Sequence, residues 1–137
     1  MADGNLTLTV VTPEASLVPG VACQEVTLPA ERGRIGILPG HTPLVTLLGV
    51  GTVEYRDAAR RHVLAVRGGF AEIAGDVVRI LADRAALPEQ VDAAAATRER
   101  EAAEARRLEV VGDEQLDSVN ADVAYAEAKL ATLAPKS

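Results

Sequence analysis

Two histidines, His41 and His62, are the only imidazoles in this chain, and Cys23 is its only thiol. A metal or acid–base centre built on them would need carboxylates to converge on the rings, yet the chain has no H-x-x-x-H pair and no Cys-His spacing of the kind that holds zinc. His62 lies beside Arg60 and Arg61 and reads as an exposed strand histidine. No metal is expected. A serine nucleophile would have to be Ser16, Ser118 or Ser137, none of which sits in a G-x-S-x-G turn or beside a base. Gly68-Gly69 does not continue into a phosphate-binding loop, because neither G-x-x-x-x-G-K-[ST] nor G-x-G-x-x-G joins a strand to a helix here. The pair reads as a β-bulge or tight turn. The chemistry-bearing residues therefore argue for binding rather than catalysis.

Those residues hang on a chain of 137 residues, enough for one domain with a small appendage, which at this size buries about 70% of its unfolded surface. A single cysteine cannot form an internal bridge, and its setting between Val21 and Val26 predicts a buried structural thiol. No apolar run of 18 residues and no charged-then-apolar leader occur, so neither a membrane span nor a secretory signal is expected. The net charge of −6 and the shortage of aromatics (Tyr55, Phe70 and Tyr125) exclude the basic, base-stacking surface of a nucleic-acid binder.

The composition changes near Leu87-Pro88, which predicts two units, residues 1–87 and 88–137. Ten of the eleven glycines precede the boundary, so the turns are concentrated there. Leu6, Leu8 and Val10 alternate with Thr7 and Thr9 as on a half-buried strand. Strands at Thr52–Arg56 and His62–Val66 flank the connection Asp57–Arg60, and Gly75-Asp76 separates Phe70–Ile73 from Val77–Leu81. Short strands with regular turn signals predict an antiparallel β-sandwich or flattened barrel. Beyond it, Pro88 suits a first helical position, Glu89 and Asp92 suit the positive end of the helix dipole, and Arg106 and Arg107 suit the other end. Gly112 breaks the pattern, and Asp113 can cap a second helix. Leu116, Val119, Val123, Ala126, Leu130 and Leu133 form one seam on that helix, matched by a smaller one of Val91, Ala95, Ala102, Ala105 and Leu108. The class is α+β, a sandwich followed by an antiparallel two-helix hairpin held loosely by small side chains.

The most specified segment is Gly33-Arg34-Ile35-Gly36-Ile37-Leu38-Pro39-Gly40-His41-Thr42-Pro43-Leu44, where glycines and prolines define a presented corner. His41 can cap the Pro39-Gly40 turn through its side chain, be a contact, or do both. With Val66-Arg67-Gly68-Gly69-Phe70-Ala71-Glu72-Ile73 and Val78-Arg79-Ile80-Leu81-Ala82-Asp83 downstream, and an alanine-rich helical tail after them, the whole chain resembles the epsilon subunit of F-type ATP synthases.

That resemblance implies a central-stalk subunit that is no enzyme alone and needs no cofactor. It would bind the gamma subunit through its sandwich and couple proton translocation to ATP synthesis. Arg34, Gly40, His41 and Thr42 would face the ring of c subunits. The hairpin would lie folded on the sandwich or extend upward to reach the catalytic alpha and beta subunits and inhibit ATP hydrolysis. The expected location is the cytoplasmic face of a bacterial plasma membrane, as a peripheral part of the complex with no direct membrane insertion and no nucleic acid.

The chain departs from this pattern at two places. From Asp113 onward Lys129 and Lys136 are the only basic residues, so inhibition by the extended hairpin is expected to be weak or to use Arg98 and Arg106 together with Lys129. The nucleotide-sensing motif [I/L]-D-x-x-R-A of some relatives is matched by Val91-Asp92-Ala93-Ala94-Ala95-Ala96, where Ala95 replaces the arginine. Asp92 and Arg98 remain as weak nucleotide-binding candidates. A stand-alone nucleotide-binding sensor, with the hairpin closing over its ligand, is the alternative reading, and a small barrel enzyme using His41 or His62 is a third.

Overall fold

The computed structural model describes residues 5–134. Eight strands come first: β1 (Leu6–Val11), β2 (Ser16–Cys23), β3 (Glu25–Ala30), β4 (Gly33–Ile37), β5 (Leu44–Leu47), β6 (Val50–Arg56), β7 (Arg61–Ala74) and β8 (Val77–Ala86). A short 3-10 turn, Pro88–Gln90, leads to α1 (Ala93–Arg107) and α2 (Asp113–Ala131).

The sheet runs β2-β1-β8-β7-β6-β3-β4, with β5 added beside β7. The first half of β7 pairs with β6 and the second half with β5, so one strand serves two layers. Leu6, Leu8, Val10, Ile73, Val78 and Ile80 from one layer meet Val26, Leu28, Val53, Leu64 and Val66 from the other in a single buried cluster. This is a β-sandwich, and the period-2 alternation expected for β1 appears as its alternating burial. Cys23 lies in the same core, and burial pushes its thiol pKa up.

Several expectations need correction. The pairing is not antiparallel throughout, since β1 runs parallel to β8 over Thr7–Val11 and Val77–Leu81. The segments expected as separate strands at 62–66 and 70–73 are one fourteen-residue strand. Gly68-Gly69 is not a bulge, because Arg67 faces Arg84 and Gly69 faces Ala82 in unbroken register. Both glycines take positive φ, 69° and 109°, which bends β7 where it changes partner from β6 to β5. A Cβ at Gly69 would stand 2.0 Å from the Leu81 carbonyl oxygen, so only glycine lets the two backbones approach this closely.

Pro88 opens the 3-10 turn rather than the long helix. Asp92 caps α1, its carboxylate accepting from the Ala94 and Ala95 amides at 3.0 and 3.2 Å. Asp113 is the first residue of α2, and Gly112 occupies the capping position. The buried residues of α1 are Ala96 and Ala103, while Leu108 is exposed, so the expected seam is rotated. In α2, Val119, Val123 and Ala126 are buried as expected, but Leu116 and, past the end of the helix, Leu133 are exposed, and Tyr125 and Ala128 are buried as well. The helix has a second apolar face, and Tyr125 and Ala128 set it on Ala65, with Val50 beside them. The hairpin thus lies against β6 and β7, and α1 rests on α2. Among the described residues, no helix is long and apolar enough to cross a membrane.

Candidate functional site

The corner between β4 and β5 is built by a turn whose shape the sequence dictates. The His41 amide donates to the Leu38 carbonyl at 3.1 Å, closing a four-residue turn around Pro39-Gly40. Gly40 has φ of 86°, the left-handed conformation that this second central position requires after proline. The Gly40 amide donates to the Asp76 carboxylate at 2.7 Å. Asp76 sits at the tip of the β7–β8 hairpin with φ of 62°, so a second strained turn braces the first. The His41 side chain does not close the turn, since its Nδ1 lies 2.6 Å from the Thr42 carbonyl oxygen. Thr42 is exposed and His41 half-buried.

Arg34 does not join this corner. It points to Glu54 of β6 at 3.5 Å, an exposed pair that contributes little to stability. Gly40, His41 and Thr42 therefore form one feature and Arg34 another. The brace that sequence reasoning missed is Asp76, whose partner is 36 positions away; its place in a Gly-Asp turn was the only local signal.

Among the described residues, no helix packs on the outer face of the layer formed by β1, β8, the second half of β7 and β5. Val45, Leu47, Phe70 and Leu81 are exposed there by 67, 58, 45 and 40%. Leu47 pairs with Phe70 and Phe70 with Leu81, so these side chains form a continuous apolar row across three strands. A shallow cleft of about 310 Å³ opens beside it between Pro13, Phe70 and Leu81. A patch of this kind is a mark of an interaction surface.

His62 is not an exposed strand histidine. Its ring stacks on Tyr55 with centroids 4.7 Å apart, and its Nε2 lies 2.8 Å from the Asp57 carboxylate. The Asp57 carboxyl is held down at about 2, first by the Arg60 and Ala59 amides and then by His62. The pair orders the β6–β7 turn. No group of three or more His, Cys, Asp or Glu side chains able to hold a metal occurs among the described residues.

The remaining candidates lie on the hairpin. Arg106 donates to Asp122 at 2.6 Å, and Lys129 donates to Glu99 at 2.6 Å while standing 5.0 Å over the Tyr125 ring. Arg67 of β7 also donates to Asp122. Burial pushes the Tyr125 hydroxyl pKa up, consistent with its ring filling the space against the sheet. Asp92 is engaged in its cap and Arg98 is exposed. Lys136 and Ser137 lie outside the described residues. A cleft of about 280 Å³ between hairpin and sheet is lined by Arg67, Arg84, Arg106 and Lys129 with Glu99 and Asp122, and the carboxylates already pair with three of the cations.

Residues 5–88 match the family model of the ATP synthase delta/epsilon chain β-sandwich domain. An ATP synthase epsilon chain of Prochlorococcus marinus (strain MIT 9303) is 38% identical, the match covering 96% of this chain and 99% of that one. One from Solibacter usitatus (strain Ellin6076) is 40% identical over 93% of this chain and 94% of the relative. Among solved structures, a chain of the Euglena gracilis mitochondrial ATP synthase superposes with a TM-score of 0.79 at 21% identity, over 96% of this chain and 82% of that one, which shows a shared fold.

Proposed function

The chain belongs to the epsilon-chain family of F-type ATP synthases, a family of non-catalytic subunits, and from that premise we propose that it joins the central stalk to the ring of c subunits and so couples proton translocation to ATP synthesis. The observation that carries this reading is the uncovered apolar row Leu47–Phe70–Leu81 standing on the same layer as the β7–β8 tip that braces the Gly40 corner. The row is the seat for the gamma subunit. The corner, with Gly40, His41 and Thr42, meets the polar loops of the ring, and Arg34 contributes from the flank. A stalk foot needs a rigid shape more than chemistry, and two mutually braced turns supply one.

Residues 1–87 act as this coupling unit and residues 88–137 as a regulatory unit that can leave the sandwich. When extended, the hairpin would meet the alpha and beta subunits through Arg98, Arg106 and Lys129. Two of these are engaged in ion pairs between α1 and α2, so they become free only if the two helices also part. Inhibition is accordingly weak. The bacterial relatives support a location at the cytoplasmic face of the plasma membrane, within the peripheral part of the complex.

The test is reconstitution of the chain with the gamma subunit and detergent-solubilised ring from its source. Co-elution of the three, lost when Phe70 is replaced by Asp, is the expected result. A folded chain that binds neither component would overturn the reading.

A further inference from the structure

We infer that Asp122 is the latch that holds the helical hairpin down on the sandwich. Its two carboxylate oxygens face different parts of the molecule: Oδ1 accepts from Arg67 of β7 and Oδ2 from Arg106 of α1. Among the described residues, Arg67–Asp122 is the only ion pair between the helices and the sheet. The other attachment is apolar and small, Tyr125 and Ala128 resting on Ala65 and Val50. Ala65, Ala128 and Val50 present little area, so Tyr125 is the one large side chain in this contact.

The arrangement makes Asp122 a shared tie. The packing of α1 is chiefly against α2, so α1 is held on the sandwich mainly through α2 and the Pro88–Gln90 turn. Removing Arg67 cuts the link from sheet to hairpin and leaves the helices joined, whereas neutralising Asp122 cuts both. Arg67 and Asp122 are both largely shielded, with side-chain exposures of 22 and 32%, so their attraction is less screened than that of a surface pair. With its partner gone, Arg67 would be left half-buried facing Arg106 of the hairpin in the same cleft, and like charges there favour separation.

This inference rests on the proposal that the hairpin can leave the sheet, and the experiment separates the two. In the full-length chain carrying Cys23→Ala, spin labels on Ala59→Cys and Ser118→Cys report the distance from sheet to hairpin, and labels on Glu101→Cys and Ser118→Cys report the distance between helices. Asp122→Asn and Arg67→Gln should each raise the detached population about three- to tenfold, the change produced by losing roughly one such ion pair. Only Asp122→Asn and Arg106→Gln should broaden the helix–helix distances. Detachment in Asp122→Asn without detachment in Arg67→Gln would trace the effect to helix packing and overturn the latch. If Tyr125→Ala detaches the hairpin while both latch variants keep it down, the latch fails and the mobile hairpin stands. If none of the three detaches it, both ideas fail.

Discussion

The Asp76 carboxylate accepts the Gly40 amide at 2.7 Å, tying the tip of one hairpin to the turn between β4 and β5. Each residue sits at positive φ, a conformation open to Gly40 but costly for Asp76. The corner is thereby fixed from outside its own segment.

Replacing Asp76 with Ala should keep the fold while lowering stability by about 1 kcal/mol, the usual worth of one such hydrogen bond. The sharper readout is hydrogen exchange at the Gly40 amide, which should accelerate against unchanged rates in β3 and β6. Unchanged exchange at Gly40 would show that the brace contributes nothing.

Gly69→Ala should destabilise severely, by about 3 kcal/mol or more, because its Cβ would meet the Leu81 carbonyl at 2.0 Å on a backbone with φ of 109°. Urea unfolding followed by circular dichroism checks this. A variant near wild-type stability would mean that β7 can bend elsewhere.

Phe70→Asp and Leu47→Asp change exposed side chains and should leave the unfolding midpoint within experimental scatter. Their effect should fall on gamma-subunit binding, weakened about tenfold or more for a central anchor. Surface plasmon resonance against immobilised gamma subunit separates the two effects, and normal binding by both variants would move the seat elsewhere.

The lowered Asp57 pKa makes a pH prediction. Folding drops this carboxyl from 3.8 to about 2, so the folded state favours the ionised form. The stability it contributes is present above the unfolded value and is lost as pH falls through the folded one. Denaturation of wild type and Asp57→Asn should therefore differ most above pH 4 and converge toward pH 2, while parallel curves would show that the turn does not depend on the charge.

Removal of residues after Leu87 should raise ATP hydrolysis by the assembled enzyme only slightly. The second helix presents Lys129 as its one cation among the described residues, and Glu99 already neutralises it. A large rise would show that Arg98 and Arg106 inhibit effectively when extended.

Much of the sandwich was legible because strand burial follows alternation, as in Leu6, Leu8 and Val10, and because Asp57–Arg60 and Gly75-Asp76 are strong turn signals. The length of β7 was not, because Gly68-Gly69 looks like an interruption and here works as a bend inside a continuous ladder. The parallel β1–β8 pairing joins residues about seventy positions apart and leaves no local trace. In α1 nearly every candidate seam is alanine, so periodicity could not distinguish Ala96 and Ala103 from Ala95 and Ala102. The corner was visible from its glycines and prolines, but its brace and the Arg67–Asp122 tie depend on tertiary contacts across 36 and 55 positions.

The fourteen residues of β7 can also be seen as a mechanical part, a rod clamped along both flanks by β8 on one side and by β6 and β5 on the other. A twisting force applied at the Gly40 corner would cross Asp76 to the end of β7 and follow the strand through its Gly68-Gly69 bend. Its ladder hydrogen bonds then resist in shear, many at once, whereas a force peeling the strand sideways would break them one after another.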